Sequence, residues 1–319
     1  MLSRLKGISL VELMISMALG IILSGACIQT FLTMKQLFIK LNAIARIQEN
    51  ARAISVVMGE SLESAGALGC NAFEHNHVIY YEGFNPKSML LLPRSRVLGV
   101  DLASMEQESV LSKRILARIK PENDIIAIKT VQNWQHVEKV DAKEHQIVLD
   151  GFVKIPKDRI ICLSDCAKSV CMRIKEVQHR ASKTIIRLNS QSNFFERFVF
   201  SKNVLYGELA IQVFYIGRTN RTSISGNPID ALYMTDINGR TLELVEGLEK
   251  MKIEYGVSDG NTLHYVNQDA VKDWLSVRKC RVTLLLNSIE DTLHLNQDAA
   301  KENRLQQWWQ FEWQIKSYA

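Results

Sequence analysis

The chain has 319 residues, of which 47% are hydrophobic and 23% charged, and its formal net charge is +5. This is the composition of a folded protein long enough to bury a large core, and it excludes a disordered or collagen-like chain. The positive excess is mild and its Lys and Arg residues are dispersed, so the sequence lacks a nucleic-acid footprint and nucleic acid is not expected as a partner.

The first element is an apolar run over residues 8–28, preceded by a leader of residues 1–7 with two positive charges. As a helix the run would be about 30 Å long, just enough to cross a bilayer. Glu12 lies one turn into the run, where an isolated carboxylate is costly and needs a positive partner. Gly7 precedes the run, whereas the cleavage site of an ordinary signal peptide follows it. Cleavage after Gly7 would keep the helix and create a new amino terminus at Ile8.

The helix is predicted to continue past the membrane, because apolar residues recur at helical spacing and no proline appears before Pro86. These residues form one stripe: Leu37, Leu41, Ile44, Ile47, Ala51, Ile54, Met58 and Leu62. The stripe predicts an amphipathic segment over residues 29–68 that packs on a globular domain. Gly66 and Gly69 suit the left-handed conformation of a helix C-terminal cap, so the helix is expected to end near them.

The remaining residues, 69–319, show many short strands joined by turns, with no regular helix between them. The predicted strands are 78–81, 124–131, 146–149, 159–163, 170–177, 184–188, 209–216, 231–234, 251–255 and 277–286. Residues 101–120 are polar and are predicted to be irregular. This arrangement favours an α+β fold, with the long helix packed on an antiparallel β-sheet head.

Six cysteines bear on the cellular compartment. Arg4 and Lys6 favour a cytoplasmic leader, which would place everything after the apolar run on the oxidising side of a bacterial inner membrane. Cys27 lies inside the run. Five cysteines follow it: Cys70, Cys162, Cys166, Cys171 and Cys280. At most two intrachain disulfides can therefore form, and Cys280, on the apolar face of a predicted strand, is the first candidate for the unpaired thiol.

Residues 159–173 are predicted to form a hairpin. If its turn is centred after Cys166, then Cys162 and Cys171 lie opposite each other and could form a cross-strand disulfide. Cys70 would then be left to pair with Cys166. The pairing stays open, because sequence alone does not fix connectivity.

Alternatives that involve chemistry are weaker. A zinc site on the hairpin cysteines with a histidine would have C-x3-C-x4-C spacing, which differs from the C-x2-C knuckle of common zinc sites. Cys70, His75 and His77 could be metal ligands, although a turn with two exposed histidines explains them more simply. Asp165 and Glu246 could be paired carboxylates, but no histidine or nucleophile motif accompanies them and such residues often cap turns. No catalytic residue, metal or cofactor is predicted.

The leader and apolar run resemble the class III signal of type IV pilins and pseudopilins. In that family a prepilin peptidase cuts after the glycine and methylates the new amino terminus, and the glutamate neutralises the terminal amine of a neighbouring subunit. The resemblance implies cleavage between Gly7 and Ile8, methylation of Ile8, and a role for Glu12 in subunit assembly. Ile8 replaces the usual phenylalanine. The alternative is a plain signal anchor in which Gly7 and Glu12 are accidental.

Further segments resemble the PilW-type minor pilins. They are residues 46–52, the pair Gly69-Cys70, residues 164–166, residues 244–257, residues 273–274 and residues 282–286. Together they cover the N-terminal quarter and the last quarter of the chain, while residues 75–155 resemble no family. The resemblance implies a pilin-like fold and no enzymatic activity.

The implied function is that of a minor type IV pilin that takes part in priming pilus assembly and sits at the pilus tip. The implied partners are other minor and major pilins, the prepilin peptidase, the pilus assembly platform, a tip adhesin and the inner membrane. Three alternatives stay open: a minor pseudopilin of a type II secretion system, a membrane-anchored periplasmic enzyme, and a DNA-binding pilin.

Overall fold

The computed structural model describes most of the chain. The described residues are 9–68, 71–72, 79–82, 95–107, 113–157, 159–165, 168–189, 200, 203–223, 226–236, 239–260, 262–289 and 304–316. The N-terminal helix, α1 (Leu10–Glu63), is continuous over 54 residues. It ends three residues before Gly66, which has a φ of 82° and takes the left-handed conformation that glycine adopts without strain.

The two halves of α1 have different surroundings. Up to residue 42 the helix is exposed, except at the half-buried Ile39. From residue 43 onward one face is buried by Ala43, Ile47, Ala51, Ile54, Met58 and Leu62. The predicted stripe therefore packs on the head only in its second half, since Leu37 and Leu41 are 49% and 54% exposed.

The other elements follow in chain order. They are β1 (Ala67–Leu68), β2 (Asn71–Ala72), β3 (Ile79–Glu82), β4 (Val97–Val100), α2 (Leu102–Gln107), α3 (Lys113–Leu116), β5 (Ile125–Asp141), β6 (Gln146–Asp150), β7 (Ile160–Ser164), β8 (Ser169–Arg180), β9 (Lys183–Leu188), β10 (Leu205–Thr222), β11 (Pro228–Asp236), β12 (Thr241–Glu246), β13 (Leu248–Ser258), β14 (Leu263–Val266), β15 (Val277–Asn287) and β16 (Gln306–Gln314). Two short 3-10 turns precede β15.

Ten of the strands form one sheet. Nine follow the order β12-β11-β10-β7-β8-β9-β6-β5-β4, and β3 pairs in parallel with β8. The long strands β5 and β10 also pair with each other. That pairing closes β5, β6, β9, β8, β7 and β10 into a six-stranded antiparallel ring, with β4, β11 and β12 extending from it.

The ring has its own apolar interior. All six of its strands contribute to one buried cluster, which includes Val137, Ile147, Leu163, Met172, Ile186 and Tyr206. A small barrel of this kind is filled by side chains that alternate with outward-facing ones. The ring is therefore a packed unit within the head and does not enclose a channel.

The second sheet has four antiparallel strands in the order β14-β13-β15-β16. It shares the largest core with α1 and with the open part of the large sheet, to which Met58, Phe214 and Ile253 contribute from the three parts. A further cluster lies on the opposite face of the large sheet and includes Met105 of α2. The helix thus packs in the core between the two sheets.

The predicted fold class is wrong for the head. A pilin-like head with one antiparallel sheet was expected, but a ten-stranded sheet with a closed ring, together with a second sheet, is more than a small pilin-like head. The cause lies in β5 and β10, which have 17 and 18 residues. Each is long enough to pair in the open sheet at one end and in the ring at the other, whereas the predicted strands, 124–131 and 209–216, covered only the apolar part of each.

Candidate functional site

The most prominent functional feature is the exposed apolar half of α1. Exposed large hydrophobic side chains extend from Leu10, at 75%, to Leu41, at 54%. Within the described part of the chain, α1 is the one helix long and apolar enough to cross a membrane, and none of its apolar window is buried. A helix with these properties near the N-terminus could span a membrane.

Glu12 lies in the first turn of this exposed helix. Its main-chain oxygen accepts a hydrogen bond from Ser16 Oγ at 2.8 Å. Its carboxylate makes no ion pair with a described residue. The predicted cleavage and methylation positions, Gly7 and Ile8, lie outside the described residues. The structure therefore places Glu12 on the exposed apolar helix and leaves the peptidase site as a prediction.

The junction between helix and head is held by contacts along α1. Asn50 Nδ2 donates a hydrogen bond to the main-chain oxygen of Glu246 at 3.0 Å. At the last residue of the helix, Glu63 Oε2 lies 3.2 Å from Lys316 Nζ. These contacts and the buried face fix the head to the second half of a helix whose first half is exposed.

The predicted cysteine hairpin is formed by β7 and β8. Cys162 and Cys171 are paired in register, are fully buried and are joined by a disulfide. In the turn, Asp165 N–H donates to the main-chain oxygen of Lys168 at 3.1 Å, and Lys168 N–H donates to Asp165 Oδ1 at 3.0 Å. Asp165 thus closes a turn.

A side chain beside this turn ties the hairpin to the segment after α1. Ser164 Oγ donates to the main-chain oxygen of Leu68 at 2.9 Å. The other two candidate disulfide cysteines, Cys70 and Cys166, lie outside the described residues. Cys70 comes two positions after Leu68, and Cys166 comes two positions after Ser164. The hydrogen bond therefore brings together the two chain segments that carry these cysteines.

The described residues contain no group of three or more metal-ligating side chains. The disulfide engages two of the three thiols that the zinc alternative would need, and the third, Cys166, lies outside the described residues. His75 and His77 also lie outside them. Cys280 is a free thiol, fully buried as its strand pattern predicted, and burial raises its pKa. Cys27 is also free, on the exposed part of α1.

Glu246, the other predicted candidate carboxylate, supports the fold. Its Oε2 lies 3.3 Å from Arg221 Nη2. The next residue, Gly247, has a φ of 78°, and a Cβ there would lie 2.7 Å from the main-chain oxygen of Asn287. Gly247 therefore allows the chain to pass from β12 in the large sheet to β13 in the small one. The strand predicted at 251–255 continues past its expected end, since Gly256 lies inside β13.

A family model described as Type IV Pilus-assembly protein W matches residues 213–308. The match begins within β10, includes the Gly247 crossing, and ends within β16. It supports a type IV pilus-associated protein. The matched residues exclude α1 and the cysteine hairpin. Comparisons with curated proteins and with solved structures gave no match.

Strand β16 was missed in the sequence. Its side chains alternate between more and less exposed positions along all nine residues. Trp309, Phe311 and Trp313 form a stack, with ring centroids 6.2 Å and 5.5 Å apart. The spacing of these three aromatic residues, with a period of two, is typical of a strand and could have revealed it.

Proposed function

We propose that this chain is a minor type IV pilin that takes part in priming pilus assembly. Prepilin peptidase cleaves it between Gly7 and Ile8 and methylates Ile8. Helix α1 then holds the subunit in the bacterial inner membrane, with the head in the periplasm, until the subunit enters the pilus with other pilins. The observation that carries this proposal is the exposed apolar half of α1, fixed to a head whose sequence matches a pilus-assembly family.

The length of the exposed surface supports assembly as well as anchoring. Exposed apolar side chains continue from Leu10 to Leu41, roughly 48 Å of helix. The hydrocarbon core of a bilayer is about 30 Å thick, so about 12 residues of the exposed apolar helix extend beyond it. Packing against helices of neighbouring subunits would bury this surface and contribute about 25 cal/mol per Å².

One side of the helix outside the bilayer is especially apolar. Phe31, Met34, Leu37, Phe38 and Leu41 lie next to one another there, with the aliphatic part of Lys35. An unpaired apolar surface of this kind on a soluble segment marks a contact site. In the assembled pilus, α1 exchanges contacts with lipid for contacts with other helices, and this surface takes part along with the membrane-spanning residues.

Glu12 supplies specificity in this exchange. A lone carboxylate in the hydrocarbon core is unfavourable by several kcal/mol, depending on the scale. The methylated amine of a neighbouring Ile8 neutralises it inside the helix bundle. An ion pair in a low-dielectric bundle adds little net stability, but it can select one register of packing.

A comparison of Glu12→Ala with Glu12→Asp tests this role in cells that assemble pili. Both variants should be processed and found in the membrane. Glu12→Ala should be depleted from sheared pili, because its carboxylate is lost, and Glu12→Asp should keep more of the wild-type level. Equal amounts of Glu12→Ala and wild type in sheared pili would refute the assigned role of Glu12.

Deletion of the gene distinguishes pilus assembly from type II secretion. The proposal predicts loss of surface pili, restored by the full-length chain, with secretion of exoproteins intact. Loss of exoprotein secretion with normal piliation would instead make the chain a minor pseudopilin.

A further inference from the structure

Strand β16 is an edge of the four-stranded sheet. It pairs with β15 over its whole length, from Asn287↔Gln306 to Lys279↔Gln314, without a register shift. Among the described residues, no strand pairs with its other side. The edge carries no proline, and its single charged residue is Glu312. Bulges, prolines and clustered charges are the usual means of protecting an edge strand, so the residues that the structure describes leave this edge open to another strand.

The hydrogen bonds at both ends of β16 show which backbone groups face outward. Ile315 N–H donates to the Arg278 oxygen, and Ser288 N–H donates to the Leu305 oxygen, each at 2.8 Å. Hydrogen-bonded and non-hydrogen-bonded positions alternate in an antiparallel pair. The odd-numbered residues of β16 therefore bond to β15, and the N–H and C=O groups of the even-numbered positions at its centre face the open edge.

The central outward-facing positions are Trp308, Gln310 and Glu312. Their side chains lie on the exposed face of the sheet. Glu312 is compensated within the sheet, since its carboxylate oxygens lie 2.8 Å from Lys279 Nζ and 3.3 Å from Arg281 Nη2. An incoming strand would thus meet main-chain donors and acceptors on a face with little uncompensated charge, which carries Gln310, Glu312 and the exposed Trp308.

The opposite face of the edge is aromatic. Trp309, Phe311 and Trp313 are only partly buried beside α1, although they contact the main core. A strand added next to β16 would place alternate side chains beside this row, so apolar residues at those positions would complete its burial. Main-chain hydrogen bonds provide affinity in this mode of recognition, and alternate side chains provide specificity.

A second copy of the chain is a poor occupant of the edge. Helix α1 and β16 point the same way, because Gly59 contacts Trp313 and Glu63 contacts Lys316. Antiparallel pairing of two β16 strands would reverse one helix and direct the two apolar segments to opposite sides. Parallel pairing through the same edge would turn one sheet over and set its aromatic row beside the polar face of the other.

We propose that β16 accepts an extended strand from a different protein of the pilus assembly. The strand has apolar side chains at alternate positions on the α1 side and uncharged polar side chains on the other. Its backbone bonds to Trp308, Gln310 and Glu312. This inference rests on the proposed function, and it assigns the head a partner site separate from the apolar half of α1.

The test compares Gln310→Pro with Gln310→Ala in the full-length chain. Proline removes the central outward N–H without removing a bond to β15, a position where edge strands tolerate it. Alanine removes the same side chain and keeps the N–H. Gln310→Pro should be folded and membrane-bound but roughly tenfold depleted from sheared pili, and Gln310→Ala should match wild type. Equal incorporation of the two variants would overturn the proposal.

Hydrogen exchange on the wild-type chain provides a test that needs no variant. The amides of Trp308, Gln310 and Glu312 should exchange rapidly in the purified full-length chain and become protected in assembled pili. Protection that is already complete in the isolated chain would mean that its own residues cover the edge. Protection that grows with concentration would mean a second copy, and either result overturns the proposal. Absence of the wild type from pili would instead refute the proposed function itself.

Discussion

The backbone of α1 at Gly59 lies against the indole ring of Trp313. A Cβ added to Gly59 would lie 2.7 Å from Trp313 Nε1. Trp313 in turn stacks on Phe311, so the ring cannot move away without disturbing the aromatic row of β16. The close approach of helix and strand therefore depends on the absence of a side chain at residue 59. This contact joins the packed half of α1 to β16, the edge strand of the small sheet.

Replacement of Gly59 by leucine should destabilise the head. Glycine inside a helix normally lowers stability by about 1 kcal/mol relative to alanine, so removing it would otherwise help. Here overpacking against Trp313 should dominate and lower the free energy of unfolding by about 1–3 kcal/mol. The measurement is thermal unfolding in detergent. Gly20→Leu is the matched control, because the space around Gly20 is open; equal melting temperatures for the two variants would show that the contact is unimportant.

The disulfide pattern should be Cys162 with Cys171 and Cys70 with Cys166. The first pair is bonded in the structure, and the hydrogen bond from Ser164 to Leu68 brings the segments of the second pair together. Peptide mapping of the non-reduced, membrane-extracted protein should recover both linkages. A peptide that joins Cys70 to Cys162 or to Cys171 would contradict this pattern.

The stability of the head should fall in acid partly through Glu312. The hydrogen bond from Lys279 Nζ lowers the pKa of Glu312 from 4.5 to about 2. A carboxyl whose pKa is lower in the folded state stabilises the fold above its unfolded pKa, and this contribution is lost as the pH falls from 4.5 toward 2. The melting temperature should therefore depend less steeply on pH for Glu312→Gln than for wild type below about pH 4.5. Parallel slopes in this range would exclude a contribution from Glu312.

Phe38→Ser should impair assembly without affecting folding. Phe38 is 65% exposed on the apolar side of α1 beyond the membrane segment, so its loss removes no contact within the head. If a neighbouring subunit buries it, the lost burial of about 1.5–3 kcal/mol should reduce incorporation into sheared pili by roughly tenfold or more. Gln36→Ser, at an exposed position of the same helix, is the control. Wild-type incorporation of Phe38→Ser would show that this surface stays free in the pilus.

Local sequence patterns predicted the helix and most strands, but not how the strands join. Residues 125–128 are apolar without interruption and are buried, as their composition indicated. The polar second half of β5, by contrast, belongs to a strand because β6 lies next to it in the ring. Residues 132–136 also pair with β10, which is distant in the chain, so the period of the side chains in β5 alone does not reveal the strand.

For the candidate site, the sequence predicted the apolar stripe of α1 but not which part of that stripe is buried. Helical spacing identified the apolar stripe of α1, but Leu41 is exposed and Ile47 is buried, although both belong to the stripe. Periodicity shows which side of a helix is apolar and not which protein surface or solvent covers it. The open edge at Gln310 could not be predicted, because it depends on the position of β16 at the end of the sheet.

The central claim is that α1 belongs to a processed pilin subunit, and the mass and N-terminal sequence of the membrane-extracted protein test it most directly. The measurement compares cells with and without prepilin peptidase. A methylated terminus at Ile8 that requires the peptidase is the predicted result. A terminus at Met1 in both strains would contradict the account and make the chain a signal-anchored protein.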